Sequence, residues 1–306
     1  MLYNSVAKNK RKTVFFMIGF VIMISLVVYA ISYYTNDEYA VLFTAIAFIF
    51  TIASCFYSYY NSDKLVLKMA HAIPVDRMQE PYLYNTIEGV AMAANVPVPK
   101  MYIIETDMLN AFATGRNPEH SAICVTRGLL NALNREELEG VIAHEMSHIK
   151  NYDVLLSTII VVLAGTLVFL SRLFVRASFY GGGKSRSRNS KDNSGGAGAI
   201  IAIVGLILLI LAPIFATLVQ LALSRNREYL ADASAAQILG YPLGLASALK
   251  KLQQASDPKR AEKEDFANSA NAGLFIINPL EKNLNASSLF STHPPLEERI
   301  KRLEAM

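Results

Sequence analysis

His144-Glu145-Met146-Ser147-His148 lies in the middle of the segment 134–153, which contains no proline. Asn134 followed by Glu137 matches a capping box, so we predict that a helix begins there. Four residues of helix turn the chain by about 400° and advance it by about 6 Å, which places both imidazoles on one face. Two histidines at this spacing bind a tetrahedral Zn²⁺, and Glu145 lies where it can hold a metal-bound water. The segment therefore predicts a helix that carries a metal site.

A catalytic zinc site has three protein ligands and one open position, so the third ligand must come from elsewhere in the chain. His71 and His120 lie in polar, turn-like sequence and are expected to be surface residues. Glu228 is the better candidate, because its predicted helix, like that of His148, adjoins a long apolar stretch. Asp232 lies one helical turn further and can accept a hydrogen bond from a ligating histidine. The alternative is that both carboxylates pair with neighbouring arginines on a solvated face.

The composition indicates an integral membrane protein. Of the 306 residues 53% are hydrophobic and only 18% are charged, whereas about 25% are charged in an average soluble chain. This balance excludes intrinsic disorder, a collagen-like chain and a nucleic-acid-binding tail, and the two cysteines predict no disulfide framework. Each apolar stretch approaches the roughly 20 residues that cross a bilayer as a helix. The four stretches are 14–34, 39–60, 154–175 and 198–223, and Arg172 is the only charged residue in them.

Charge distribution predicts the orientation of the first two stretches. The basic residues Lys8, Lys10, Arg11 and Lys12 precede the first stretch, which is too long for a cleaved signal peptide and reads as a retained anchor. Basic flanks stay in the cytoplasm, so the turn 35–38, which lacks Lys and Arg, is expected outside. Residues 61–153 are then cytoplasmic.

The third and fourth stretches leave two alternatives open. The loop between them is rich in Lys, Arg, Gly and Ser, so it either lies outside against the positive-inside tendency or the apolar hairpin only dips into the bilayer. Because no proline lies between Asn134 and Val154, we expect the helix of the metal site to continue straight into the third stretch. Likewise 224–239 is expected to continue the helix of the fourth stretch.

Short strands and helices fill the remaining sequence. We predict strands at 101–105 and 121–126, with the short segment Asn110 to Gly115 between them. Helices are predicted at 80–94, 243–255 and 295–304. This pattern indicates an α-rich α+β fold with a small sheet.

Four motifs in order resemble the bacterial HtpX family, membrane-embedded zinc metalloproteases related to the eukaryotic CAAX prenyl proteases. They are His144 to His148, Arg227 to Asp232, Asn110 to Gly115 and Ser291 to Pro295. The resemblance covers essentially the whole chain and implies a multi-pass membrane protein with a gluzincin-type catalytic domain and a small sheet with an edge strand. The implied segments are an N-terminal transmembrane hairpin (1–61), the first catalytic part (62–153), a second transmembrane hairpin with the basic loop (154–224) and the second catalytic part (225–306).

The resemblance also implies roles for individual residues. One Zn²⁺ per subunit is bound by His144, His148 and Glu228, with Glu145 as the catalytic base and Asp232 behind the ligands. His293 either stabilises the transition state or has only a structural role. The implied substrate-binding edge strand consists of Asn110, Ala111, Phe112, Ala113, Thr114 and Gly115.

The function implied is quality control in the bacterial inner membrane, with the site facing the cytoplasm and misfolded or damaged membrane proteins as substrates. Such an enzyme has unfolded or membrane proteins and the lipid bilayer as partners, and no nucleic acid. The sequence does not indicate an oligomeric state. Two alternatives remain at this point: a CAAX-type processing protease, and a non-enzymatic membrane scaffold stabilised by zinc.

Overall fold

The computed structural model describes residues 2–34, 40–181, 207, 225–256, 271–279 and 294–306. Within them the fold is rich in helix with one small sheet, which confirms the α-rich α+β prediction. The helices are α1 (Leu2–Tyr34), α2 (Ala40–Met69), α3 (Pro81–Ala94), α4 (Arg127–Ala132), α5 (Arg135–Lys150), α6 (Asp153–Gly181), α7 (Arg225–Leu239), α8 (Leu243–Ala255) and α9 (Leu296–Glu304), with a 3-10 turn at Ala272–Leu274. The strands are β1 (Ile73–Pro74), β2 (Lys100–Ile104), β3 (Ala111–Asn117) and β4 (His120–Thr126).

The helix α5 forms the centre of the fold and begins as predicted. The Asn134 side chain accepts from the Glu137 backbone N–H at 2.9 Å, and the Glu137 carboxylate accepts from the Asn134 N–H at 2.8 Å. Most side chains of α5 are buried, among them Ala143, Met146 and Ile149. It packs against α3, α7, α8 and β3, so its histidines lie inside the protein rather than on its surface.

The sheet has the strand order β1-β2-β4-β3. The strands β2 and β4 run parallel, whereas β3 pairs antiparallel with β4 and forms one edge. The segment 110–115 of the sequence therefore supplies an edge strand from Ala111 onward. This strand lies against α5, α6 and α2, with its residues from Ala111 to Gly115 buried.

The expected continuous helix from Asn134 into the third apolar stretch is wrong. The helix α5 ends at Lys150, α6 begins at Asp153, and the two are bent by 83°. Tyr152 adopts a left-handed conformation with φ of 58°, which interrupts the helix without any proline. The Asn151 carbonyl accepts from the side chain of Asn9 at 3.3 Å, a contact over 142 residues. Because α1 helps to hold the bend, the local sequence could not show it.

One described helix segment, Val6–Ala30 within α1, is long and apolar enough to cross a membrane, and the bent pair of α5 with the start of α6 passes the same test together. Both α1 and α2 expose large apolar side chains, as expected for helices in contact with lipid. They include Val14, Phe15, Ile18, Ile22 and Leu26 in α1, and Val41, Leu42, Ile46, Ile49 and Phe50 in α2. The fourth apolar stretch lies outside the described residues except for residue 207.

Two glycines allow α5 and α8 to cross closely. A Cβ at Gly140 would lie 2.6 Å from the backbone nitrogen of Leu245, and a Cβ at Gly244 would lie 2.5 Å from the carbonyl oxygen of Glu136. Such contacts force the backbones apart. Gly140 therefore costs helix propensity but permits the packing that holds α5 in place.

Replacing Gly140 by alanine is expected to lower the free energy of unfolding by about 1–3 kcal/mol, the usual cost of overpacking. Gly89→Ala is the matched control, since a Cβ at Gly89 meets nothing within 4 Å. That change should be neutral or stabilise by up to about 1 kcal/mol through helix propensity. Thermal unfolding of both variants in detergent measures the difference, and equal stability of the two would contradict the crossing argument.

Candidate metal centre

Three donors converge at α5: His144 and Glu228 are buried, and His148 is partly exposed. The Nε2 atoms of His144 and His148 lie 3.3 Å apart. The Glu228 carboxylate reaches them from α7, at 3.6 Å from His144 Nε2 and 3.4 Å from His148 Nε2. The prediction that Glu228, in the helix after the fourth apolar stretch, supplies the third donor is thus confirmed, because one atom from each of the three residues lies within 4.8 Å of the others.

The spacing fits a tetrahedral zinc ion. Ligand bonds of about 2.0–2.1 Å in a tetrahedron separate the donor atoms by about 3.4 Å. The two Nε2 atoms are 3.3 Å apart, and Glu228 approaches each with a different oxygen: Oε2 is 3.6 Å from His144 Nε2, and Oε1 is 3.4 Å from His148 Nε2. These distances are close to that value. Two imidazoles and one carboxylate leave the fourth position to water or substrate, whereas structural zinc sites are usually closed by four protein ligands.

A carboxylate lies behind each histidine. His144 Nδ1 is 3.0 Å from Asp232 Oδ1, and His148 Nδ1 is 3.2 Å from Asp153 Oδ2. Because an ionised carboxylate only accepts, Nδ1 carries the hydrogen when the imidazole is neutral, and the Nε2 lone pair then faces the site. Asp232 occupies the place that the resemblance implies for it, and Asp153 is a second such partner that the sequence reading missed.

Arg299 on α9 binds the other side of Asp232 and is fully buried. Its Nε and Nη2 donate to the two Asp232 oxygens at 2.9 and 2.7 Å, and its Nη1 lies 3.7 Å from Glu228. Burial would raise the pKa of Asp232, but Arg299 and His144 outweigh it and lower that pKa to about 2. Asp232 therefore stays ionised at physiological pH.

The charged neighbours of His144 also shift its pKa, but upward. Burial disfavours its charged form, but hydrogen bonds to Asp232 and Glu228 prevail and raise its pKa to about 9. A histidine binds a metal in its neutral form. A metal cation that binds His144 therefore displaces a proton, and the nearby carboxylates of Glu228 and Asp232 attract the cation.

Glu145 lines the same narrow cavity as the three donors, together with Ala113 of β3 and with Gly273, Leu274 and Ile276 of the segment 271–279. The cavity volume is about 30 Å³, which accommodates water but no peptide. Burial raises the pKa of Glu145, although the two imidazoles and the Ala113 N–H, which donates to its carboxylate, act in the opposite direction. A carboxylate of raised pKa beside a water site is suited to accept a proton.

The outer edge of β3 is bonded to other parts of the chain. The Ala111 carbonyl accepts from the Ile276 N–H at 2.8 Å, and the Asn110 amide donates to the Ile277 carbonyl at 2.8 Å. Further along the strand, the Thr114 and Thr158 hydroxyls lie 3.1 Å apart. The strand thus runs directly past the cavity with Ala113 at the wall.

The remaining histidines lie apart from this centre or outside the described residues. His71 and His120 are exposed, as predicted. His293 lies in the range 280–293, outside the described residues, so its role stays a prediction.

Sequence reasoning missed three residues, and each left a faint signal. Arg299 is spaced with Leu296, Ile300 and Leu303 on the buried face of α9, where an arginine is unusual. Asp153 follows His148 by five residues, just past the end of α5. Asn9 is the one uncharged residue in the basic segment Lys8 to Lys12, and its burial is visible only in the structure.

A family model described as peptidase family M48 matches residues 77–306. The chain belongs to peptidase family M48. The M48 relatives cover nearly its whole length. The protease HtpX homolog of Dictyoglomus turgidum is 46% identical over 99% of this chain and 94% of its own length. That of Caldanaerobacter subterraneus subsp. tengcongensis is 45% identical over 100% of this chain and 98% of its own.

A third M48 relative, the protease HtpX homolog of Listeria monocytogenes serotype 4a, is 46% identical over the full length of both chains. Among solved structures, that of S. mikatae Ste24p aligns with 99% of this chain and 66% of that chain, at 22% identity and a TM-score of 0.49. Membership of the M48 family and the donor geometry together identify His144, His148 and Glu228 as a zinc site and the chain as a zinc metallopeptidase, whose substrates are proteins.

Asp232→Asn is expected to weaken zinc binding about 10- to 100-fold, the usual effect of losing the partner behind a metal-ligating histidine. Glu137→Gln is the control, since Glu137 is an equally buried carboxylate on α5 whose partners are Ser247 and Lys251. That change should lower the thermal midpoint and leave zinc affinity intact. Competition with a chromophoric chelator gives both affinities, and wild-type affinity in Asp232→Asn would show that Asp232 does not support His144.

Proposed function

We propose that this peptidase is an endopeptidase that cleaves misfolded or damaged membrane proteins at the cytoplasmic face of the bacterial inner membrane. The observation that carries the proposal is one cavity lined by the three donors, by Glu145 and by Ala113 of the edge strand β3. Zinc held by three protein ligands would keep one position for water or substrate, beside a base and a strand edge that an extended peptide could join. The apolar helices α1 and α2 hold this site beside the bilayer.

Glu145 is the group that moves the proton. Zinc held by His144, His148 and Glu228 supplies an acidified water and polarises the scissile carbonyl. The Glu145 carboxylate accepts the proton of the attacking water and then delivers it to the departing amine. Asp232 and Asp153 keep the two imidazoles in the orientation that binds metal.

The edge strand β3 is the proposed substrate-binding site. An extended peptide that adds to a sheet edge is held by main-chain hydrogen bonds, so many sequences bind. Ala113 lies at the cavity wall and its N–H now donates to Glu145. Because Ile276 and Ile277 bond to Ala111 and Asn110, the substrate must exchange bonds with the segment 271–279 to use the whole strand.

The placement in the membrane follows from charge and hydropathy. The basic residues before the first apolar stretch keep the N-terminus in the cytoplasm, and the second stretch returns the chain to that side. We assign 1–61 and 154–224 to membrane hairpins and 62–153 with 225–306 to the catalytic part. A site at this position meets segments that emerge from, or fail to enter, the bilayer.

Glu145→Gln is expected to keep zinc binding and to lose cleavage by at least about 100-fold, the lower range for a general acid–base group. The assay is digestion of an unfolded, non-lipidated model protein by the detergent-purified chain after chelation and zinc readdition. Glu139→Gln is the matched control, because Glu139 is on the same helix and pairs with the exposed Arg135. It should cleave normally.

Zinc-dependent fragments from the parent and from Glu139→Gln, but not from Glu145→Gln, would support the endopeptidase. Unimpaired cleavage by Glu145→Gln with intact zinc would reject its role as the base. Cleavage of prenylated peptides alone would point to a CAAX-type processing enzyme. Absence of all cleavage by a chain that still binds zinc would favour the alternative of a non-enzymatic membrane scaffold that zinc stabilises.

The orientation predicts the labelling of single introduced cysteines by a membrane-impermeant reagent. Asn36→Cys should be labelled in intact cells, and Lys100→Cys only after permeabilisation. Both native cysteines, Cys55 and Cys124, are buried, so the background is low. The reverse pattern would overturn the cytoplasmic site. Ser187→Cys distinguishes two true spans, which expose it outside, from a hairpin that only dips into the bilayer.

A further inference from the structure

The first membrane helix reaches the zinc site through a buried polar side chain. Asn9 of α1 is 4% exposed, and its Nδ2 donates to Asp153 Oδ1 at 2.8 Å. The other oxygen of Asp153 is the one that faces His148 Nδ1 at 3.2 Å. An unbroken series of contacts therefore runs from the membrane helix through one carboxylate to a zinc ligand.

All polar atoms of the Asn9 side chain are used in this arrangement. Its Nδ2 also donates to the Asn151 carbonyl at 3.3 Å, and its Oδ1 accepts from Arg227 at 3.4 Å. Arg227 in turn lies 3.3 Å from Asp153 Oδ1. Oδ1 of Asp153 is thus held by two donors, which fixes the carboxylate plane and leaves Oδ2 for the imidazole.

The neighbouring residue of α1 contacts the same bend. The Lys10 ammonium lies 4.5 Å from the ring centroid of Tyr152, whose left-handed backbone turns α5 into α6. Asn9 and Lys10 therefore contact both residues between the two helices, Asn151 and Tyr152, and Asp153, the first residue of α6. The 83° bend determines where Asp153 lies relative to His148.

We infer that Asn9 is a positioning residue for the zinc site: the amide of α1 fixes the Asp153 carboxylate, which orients His148 for the metal. A histidine ligand binds zinc well only when its ring is held at the required angle, and the partners behind ligands contribute strongly to metal affinity. The inference concerns the zinc site alone, so it does not depend on which proteins the enzyme cleaves.

The consequence is that the zinc affinity of the catalytic part depends on the membrane helix. Asn9 precedes the portion matched by the M48 family model, residues 77–306, so this contact lies outside that portion. An N-terminal segment that would serve only as an anchor has no reason to bury an amide against Asp153, the carboxylate that pairs with the ligand His148. The buried side chain costs free energy in an apolar environment unless it is paired.

The test measures zinc affinity of the full-length chain in detergent by competition with a chromophoric chelator, together with the visible spectrum of the Co²⁺-substituted protein. Asn9→Leu keeps the volume and suits a membrane helix, so insertion is preserved. We expect its zinc affinity to fall about 2- to 10-fold, the effect of one buried hydrogen bond, with a shifted Co²⁺ spectrum. Asn9→Ala provides a second variant that lacks the amide.

Thr13→Val is the matched control. Thr13 lies one turn further on α1, is 1% exposed, and donates only to the Asn9 backbone carbonyl in its own helix. It should keep wild-type zinc affinity even if the thermal midpoint falls. An equal loss of affinity in Thr13→Val and Asn9→Leu would show a general disturbance of α1 and overturn the inference.

A double-mutant cycle with Asp153→Ala tests whether Asn9 acts through Asp153. If it does, adding Asn9→Leu to Asp153→Ala should change zinc affinity by less than 2-fold, because the residue through which Asn9 acts is already absent. A 2-fold change is about the smallest effect expected from the loss of one hydrogen bond. Additive losses would mean that Asn9 acts by another route and would reject the proposed chain of contacts. Unchanged zinc affinity and Co²⁺ spectrum in Asn9→Leu and Asn9→Ala would assign Asn9 a purely structural role.

Discussion

Holding two imidazoles and one carboxylate close enough to share a single metal ion is the constraint on which the structure depends. Buried polar groups are costly unless paired, and the contacts of Glu228 with the two Nε2 atoms leave both Nδ1 atoms to be paired elsewhere. The protein meets the cost with a second layer of charge: Asp232, Asp153 and Arg299, each buried or nearly so. These residues come from three different helices.

The arrangement explains why α5 is surrounded on all sides. A helix with its histidines on a solvated face would need no close crossing with α8, but a buried one does, and Gly140 and Gly244 provide it. The same burial brings α7 and α9 against the metal site and leaves β3 as the wall opposite Glu145. Packing, and not the local propensity of α5, sets the position of the ligands.

The zinc site was predictable from sequence to the extent that it depends on local spacing. The two histidines and Glu145 follow from helical periodicity, and the capping box locates the start of their helix. Glu228 was found because its helix and that of His148 each adjoin one of the two apolar stretches of a predicted hairpin, which brings the helix ends together. Asp153 and Asn9 were not found, because a left-handed Tyr152 and a contact over 144 residues determine their positions. Arg299 was not found, because an apolar pattern predicts burial for its Leu and Ile residues and gives no such prediction for a charged residue between them.

The narrow cavity beside Glu145 has a kinetic consequence. A volume of about 30 Å³ is too small for a polypeptide, so in the proposed mechanism the cavity must widen before a substrate reaches Glu145. The segment 271–279 already bonds to the edge of β3, which makes it an internal competitor for the proposed substrate-binding site. A folded protein, whose backbone is already satisfied, gains nothing by displacing it. An unfolded chain offers free backbone groups in exchange, so under the proposed function this competition would favour unfolded substrates without recognition of any sequence.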